Sequence, residues 1–350
     1  MADLLTVMTW NVENLFPVGW QVSPRKRVAQ ADFDAKLDFL TGAINNIGPD
    51  VVALQELGGG EADAANTLAT LNDRLGQAYS HHALSQHPDG RQIRVAFFSR
   101  LPLSGITDMI DFADGELATL PSWHGETTTR LGRGALLATI SVGDHTFDLL
   151  TAHLKSKLIT YKPHPNQSYR FNPDNEAERA IGAGLALLRR TAEATTIRIR
   201  VSDRLQTAQP HHMIVLGDLN DEVYAATSQL ILGPEDRDAT SQDTLDPVRL
   251  YNLAAGIPRR GGMENDLQFL DPKENYTRIY QDRGELIDHI LVSRSLLGPG
   301  PELTQGRSFV KEVRSRVDLI KGQSVGDDPT ERIGKQAPDH APVYVRFELP

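Results

Sequence analysis

The decapeptide His212–Asp221, HMIVLGDLND, constrains this chain more than any other stretch. Met213 to Leu216 is an unbroken apolar run with the β-branched pair Ile214 and Val215, the pattern of a strand buried on both faces. The run stops at Gly217, and Asp218 and Asn220 follow. Residues two apart in an extended chain point to the same side, so a carboxylate and a carboxamide share one face just past a strand end. Taken alone, GD-x-N also describes an ordinary strand ending in a turn, and other stretches have to decide between the two.

The same arrangement recurs along the chain. Leu4 to Trp10 is apolar and β-rich and ends at Asn11 within TWNVENLF; a polar group at a buried strand end needs a partner or serves as a ligand. Phe33, Leu37, Leu40, Ile44 and Ile47 then recur at helical spacing until Gly48-Pro49. VVALQE follows as a second buried strand, ending at Glu56. Gly58 to Gly60 lack the G-x-G-x-x-G spacing of a dinucleotide loop and read as a turn into a helix carrying Leu68, Leu71 and Leu75. RQIRVAFFSR predicts a strand. RGALLATISVGDHTFDLLTAHL predicts a hairpin turning at Gly143-Asp144 and ending at His153.

Residues 155 to 175 are broken by Pro and Asn and form a long irregular segment, uncommon unless functional or mobile. Lys155, Lys157, Lys162 and Arg170 alternate there with Tyr161, Tyr169 and Phe171. That mixture suits a groove for phosphates and bases, or a solvated lid. A helix is predicted from Glu176 to Leu205, with Ile181, Leu185, Leu188, Ala192 and Ile199 inward and Arg179, Arg189, Arg190 and Arg200 on a solvated face. His81, His82 and His87 read as surface residues. In the strand Glu285–Ser293, Asp288 shares a mainly apolar face, an expensive place for an unpaired carboxylate; His289 points the other way and reads as structural. Asp339 and His340 precede a final strand, Val343 to Leu349, after an irregular region at 318 to 338.

A formal charge of −10 argues against bulk adhesion to nucleic acid without excluding a local basic cleft. With no cysteine there is no disulfide framework and no thiolate site, so any metal is held by oxygen or imidazole. No secretory leader and no bilayer-length apolar run is present. The expected location is cytoplasmic, with no membrane anchor; a trimmed secreted precursor would read identically. No linker or low-complexity block divides the 350 residues, which predicts one domain over 1–350, monomeric and with no evident protein partner. The fold class is α/β (α+β), with two sheet layers sharing a site at their joint edge.

Collected, Asn11, Glu56, His153, Asp218, Asn220, Asp288, Asp339 and His340 resemble the site residues of the endonuclease/exonuclease/phosphatase superfamily. The resemblance covers nearly the whole chain. It rests on the strand-one asparagine, the Q-E motif, TAHLK, G-D-x-N, I-D-H-I-L and the closing P-D-H. It implies a DNase I-like two-layer β-sandwich of mixed sheets flanked by helices, hydrolysing phosphate esters by in-line attack of activated water. Glu56 and Asp339, with Asn11 nearby, are implied to hold Mg²⁺, or Mn²⁺ in its place; a structural Ca²⁺ is left open. Asp218, steadied by Asn220, would orient or deprotonate the water, or the Asp288–His340 pair would be the base. His153 would bind phosphate or protonate the leaving oxygen. Arg133 matches a recurring arginine of the family. With Arg133, Lys155, Lys157 and Arg170 as substrate contacts, the expected substrate is nucleic acid, as in bacterial nuclease-type members. The alternatives are a small-molecule or lipid phosphate ester and, more remotely, a non-catalytic binding module.

Overall fold

A computed structural model of the chain describes residues 3–23, 26–122, 125–159, 171–207, 211–233, 248–253, 276–280, 283–297, 309–320 and 337–349. The strands of its two main sheets are β1 Asp3–Leu15, β2 Val51–Gly58, β3 His81–Leu84, β4 Ile93–Ser99, β5 Ser104–Asp111, β6 Arg130–Val142, β7 His145–His153, β8 His212–Asp218, β9 Leu250–Asn252, β10 Asp288–Ser293, β11 Val310–Ser315 and β12 Val343–Leu349. The helices are α1 Gln30–Ile47, α2 Glu61–Arg74, α3 Glu176–Leu205 and α4 Ala226–Leu232. Among the described residues there are two six-stranded sheets, ordered β11-β12-β1-β2-β4-β3 and β9-β10-β8-β7-β6-β5.

The unbroken apolar runs follow from the layering. Ile214 and Leu216 of β8 face the other sheet and pack with Val7, Phe97, Leu149 and Val345. Their neighbours Met213 and Val215 face α3 and α4 with Ile197, Val201 and Ile231. On the opposite side Met8, Trp10, Val52 and Leu54 meet Leu37, Leu40 and Ile44 of α1 and Leu68 of α2. Each central strand is therefore covered on both faces, and alternation between polar and apolar residues is absent where it would otherwise be expected. No helix among the described residues is long and apolar enough to cross a membrane.

Register decides where the strand ends fall. β7 and β8 are parallel, β8 and β10 antiparallel, and the pairing sets His153 beside Asp218 and Asp218 beside Asp288. In the first sheet, parallel pairing of β1 with β2 sets Asn11 beside Gln55, one residue before Glu56. Both strands depart from regular pairing at this end, between Asn11 and Leu15 and between Leu54 and Leu57, as strands do beside functional sites.

Helix α1 ends as predicted, with Gly48 left-handed and its N–H on Ile44 O at 2.8 Å. Helix α3 has the predicted bounds, capped by Asn175, but its inward face differs from the expected one. Ile181 and Ile199 are exposed, whereas Arg190, Glu193 and Arg198 are buried. These charges fasten the segments that surround the strand ends. Arg190 Nε donates to Asp221 Oδ2 at 3.0 Å, and the Glu193 carboxylate accepts from the N–H groups of Gly132 and Lys155 at 2.8 and 2.6 Å. His81 and His82 lie in the edge strand β3 rather than in a connection.

Candidate active site

Asp218 stands at the centre. Its Oδ2 accepts from Asn11 Nδ2 at 3.0 Å and faces His153 Nε2 at 3.2 Å, and its Oδ1 accepts from Asn220 N–H at 2.9 Å. Burial alone would push this carboxyl up; His153, His340 and Asn11 outweigh it and hold Asp218 well below the usual carboxylate range. Asn220 sits at φ 53° and anchors itself through Nδ2 to Leu154 O at 3.0 Å. The preceding glycine is obligatory: at Gly217, with φ 150°, a Cβ would lie 2.0 Å from Ala152 O. The GD-x-N signature is thus a turn that only glycine can enter, followed by a carboxylate caught among three donors.

His340 forms the second half. Its Nδ1 donates to Asp288 Oδ2 at 2.7 Å, while Nε2 stands 4.0 Å from Asp218 Oδ2 and 3.9 Å from Asp339 Oδ1. Those two separations exceed a hydrogen bond, and a single oxygen atom between them can bridge both. Burial alone would drive the imidazolium down; Asp288 and Asp339 raise it to about 10. Burial also pushes the Asp288 carboxyl up. We place the shared proton on the ring, because Asp218 and Asp339 add negative charge around it. The awkward Asp288 of the sequence thus has His340 as its partner, and Thr277 Oγ1 receives its backbone N–H at 3.2 Å.

The first sheet contributes Glu56, whose Oε2 accepts from Asn14 N–H at 2.9 Å and whose Oε1 lies 3.8 Å from Arg91 Nη2. Burial opposes its ionisation, but Arg91, His153 and Arg133 hold its carboxyl down at about 2. Glu13, Asn14, Glu56 and Asn220 all have positive φ, a conformation that asparagine tolerates but that costs a glutamate roughly 1–2 kcal/mol. Such strain gathers where a structure over-determines side-chain direction.

The Endonuclease/Exonuclease/phosphatase family matches residues 8–304. The chain belongs to that family. Its enzymes hydrolyse phosphoester bonds and depend on divalent metal ions. Among solved structures, one similar in fold is a family member from Bacteroides thetaiotaomicron, at 14% identity and TM-score 0.53 over 100% of this chain and 96% of that one. Another is ANGEL2, a 2′,3′-cyclic phosphatase, at 13% identity and TM-score 0.53 over 99% and 96%. A third is the 3′ phosphatase NExo from Neisseria, bound to a product DNA hairpin, at 16% identity and TM-score 0.51 over 98% and 99%. No curated protein matches the chain.

For a family member of this kind the donor set fits a hard divalent cation. Glu56 and Asp339 offer hard carboxylate oxygens of the kind Mg²⁺ takes, and both lie close enough to Glu13 to help burial push its carboxyl up to about 8. Asp218, Asp288 and His340 also bring one ligand atom each within 4.8 Å of one another. There, however, the ion would have to displace the proton that Asp288 and Asp339 keep on the His340 ring, so Glu56 and Asp339 fit the ion better. Asn11 has its carboxamide engaged at both ends, Nδ2 on Asp218 and Oδ1 accepting from Glu13 N–H at 2.9 Å.

The basic residues foreseen as substrate contacts divide. Lys157 is half exposed and pairs with Asp221 at 3.2 Å. Lys155 folds back, donating to Ser156 O and Leu158 O at 3.0 and 2.7 Å; burial, with Arg133 nearby, pushes its ammonium down to about 7. Arg133 is clasped by Asp89 at 3.2 Å and Leu154 O at 3.2 Å. Arg170, with Tyr161, Lys162 and Tyr169, lies outside the described residues. His289 is structural as expected, its Nε2 on Asp221 O at 2.8 Å and its Nδ1 receiving Asn252 Nδ2 at 3.0 Å.

Sequence reading passed over Glu13, Lys36, Asp89, Arg91 and Thr277. For Lys36 a signal existed, since it interrupts the apolar stripe of α1 between Phe33 and Leu37 and is itself buried.

Proposed function

We propose that this chain is a Mg²⁺-dependent phosphodiesterase acting on nucleic acid, an endonuclease for DNA with RNA as a second substrate. The observation that carries the reading is the facing pair Asp218 Oδ2 and His340 Nε2, 4.0 Å apart. A negative acceptor and a cationic donor stand opposite each other, too far apart to bond directly. Asp218 orients an attacking water, because its three donors fix both its ionisation and its direction. His340, cationic, donates from Nε2 to a phosphoryl oxygen as negative charge gathers there. His153 holds Asp218 from the neighbouring strand. Glu56 and Asp339 would hold the Mg²⁺, with the second lone pair of Asn11 Oδ1 beside them; the ion supplies electrostatic stabilisation of the phosphoryl oxygens. Lys157, half exposed and paired with Asp221, offers a cation for a flanking phosphate.

The neighbours in fold include one 3′ phosphatase bound to a DNA hairpin and one 2′,3′-cyclic phosphatase, which supports nucleic-acid ends as a substrate to be tried beside internal bonds. The test is turnover of plasmid, single-stranded DNA, RNA, end-phosphorylated oligonucleotides, small phosphomonoesters and phospholipids, each with Mg²⁺ and with EDTA. We expect nucleic acid to be cleaved only with Mg²⁺. Intact nucleic acid beside a hydrolysed small or lipid ester would replace the nuclease reading with the small-substrate one.

A further inference from the structure

Two residues beyond Asn11 the chain passes through two consecutive left-handed positions, Glu13 at φ 46° and Asn14 at φ 52°. The polar groups of this turn reach in four directions. Glu13 N–H donates to Asn11 Oδ1 at 2.9 Å, and Asn14 N–H donates to Glu56 Oε2 at 2.9 Å. Glu13 O accepts from Lys36 Nζ, which comes from α1. The Glu13 side chain turns the other way, and its Oε2 accepts from Asp339 N–H at 3.1 Å. One turn thereby touches Asn11, Glu56 and Asp339, three residues that arrive from β1, β2 and the far end of the chain.

Asp339 and His340 belong to no strand of their own; they precede β12 by a few residues. Two contacts tie their backbone to β1 and its turn: Asp339 N–H on Glu13 Oε2, and Trp10 Nε1 donating to His340 O at 2.9 Å. Glu13 and Trp10 are 6% and 0% exposed, so water does not compete for either contact. A buried carboxylate beside the acidic residues Glu56 and Asp339 is costly, and a loop amide alone could be satisfied by a neutral acceptor. The placement makes sense if the turn fixes two carboxylates relative to each other.

We infer that Glu13 is a positioning residue, whose side-chain hydrogen bond to Asp339 N–H sets Asp339 opposite Glu56 and so pre-forms the cation site. This rests on the metal-dependent reading above and adds to it a residue that acts through Asp339. Outer partners of metal ligands change affinity by about 10–100-fold when removed.

The test compares Glu13→Gln with Glu13→Met. Both are neutral and similar in shape, but only the glutamine keeps an oxygen for Asp339 N–H. Mn²⁺ binding is followed by electron paramagnetic resonance without substrate, and unfolding midpoints are recorded in metal-free buffer. Glu13→Gln is expected to bind Mn²⁺ within about threefold of the wild type, and Glu13→Met about 10–100-fold more weakly, with the difference reappearing as a higher Mg²⁺ requirement and a kcat restored at saturating Mg²⁺. Equal Mn²⁺ affinity of the two variants would overturn the inference, including when Glu13→Met lowers only the unfolding midpoint. Should Glu13→Met fail to fold, Glu13→Gln decides: affinity near the wild type supports the hydrogen bond, and a loss of about tenfold or more overturns it in favour of the charge. Wild-type protein that binds no Mn²⁺ would remove the metal reading and this inference together, whereas wild-type binding with indistinguishable variants removes the inference alone.

Discussion

His340 Nδ1 lies 2.7 Å from Asp288 Oδ2, a buried contact that joins the turn before the last strand of one sheet to a central strand of the other. Its consequence is electrical. With Asp288 behind it and Asp339 beside it, the ring keeps its proton up to about 10 despite burial, so both nitrogens are donors at neutral pH. In that state the ring suits the role proposed for it, donation to a phosphoryl oxygen, with the orientation of water proposed for Asp218.

Asp288→Asn separates these roles. The asparagine oxygen can still accept from Nδ1, but the charge that raises the imidazolium is gone. We expect kcat to fall by about 10²–10³-fold, the range seen when a transition-state donor is lost, and the alkaline limb of the pH–rate profile to move toward neutrality. A limb that stays in place would show that another group titrates there. A bound divalent cation beside Asp339 moves the same limb downward in the wild type, since positive charge disfavours the imidazolium.

Stability should depend on pH at both ends. His340 has a folded value of about 10 against an ordinary 6.5, so its contribution is complete below 6.5 and is lost as pH rises through about 10. Glu13, raised from 4.5 to about 8, acts in the same sense at lower pH: its contribution is complete below 4.5 and lost as pH rises through about 8. Glu56 runs oppositely. Lowered to about 2 from 4.5, it stabilises above 4.5 and loses that contribution as pH falls through about 2. Urea midpoints of metal-free protein across the pH range should therefore decline on the alkaline side in two steps. Replacing Glu13 with glutamine should remove the earlier step.

The strand ends were legible in the sequence because each apolar run stops on a polar residue, and such a residue at a buried edge must bond to something. Asp288 was legible for a different reason: alternation set it on an apolar face, so a partner was required, and His340 is that partner. Arg190 and Glu193 were not legible. A charged residue on a helix is ordinarily solvated, and nothing local announces that Glu193 will receive the N–H groups of Gly132 and Lys155. Lys155 shows the converse, since a lysine in a loop reads as outward while its carbon stem allows the amine to curl onto the carbonyls of Ser156 and Leu158. Helix α3 was placed correctly in extent, and Leu188 and Ala192 do face the core, but Ile181 and Ile199 do not and Arg190 does, because the buried face also serves the loops it has to hold.

Gly217→Ala tests the turn behind Asp218. The new Cβ would stand 2.0 Å from Ala152 O at φ 150°, and neither backbone can yield without breaking the β7–β8 pairing that aligns His153 with Asp218. We expect a loss of more than about 4 kcal/mol or failure to fold, by strain at a special backbone position. Gly42→Ala in α1 is the control. A Cβ there meets nothing within 4 Å, and the exchange should stabilise by about 0.5–1 kcal/mol. Urea denaturation of the two variants gives opposite signs if backbone geometry, and not glycine content, is what the GD-x-N turn requires.

Cation binding should be visible as stability before any substrate is found. Glu56 is ionised across the working range because Arg91, His153 and Arg133 outweigh its burial, and Arg91 sits 3.8 Å from its Oε1. A divalent ion bound to Glu56 and Asp339 stabilises the folded state in proportion to its occupancy, by about 2.7 kcal/mol at a hundredfold excess over Kd. Mg²⁺ or Mn²⁺ should therefore raise the Tm of the wild type, and EDTA should reverse it. Glu56→Gln should abolish that response and, because the lost carboxylate was held by cations, should also lower the Tm in metal-free buffer. Arg91→Gln separates the two effects: it removes a competitor for the carboxylate, so the metal response should grow while the metal-free Tm falls. A response to Mg²⁺ that survives Glu56→Gln unchanged would move the cation to the Asp218, Asp288 and His340 group, where Asp288→Asn becomes the variant that removes it.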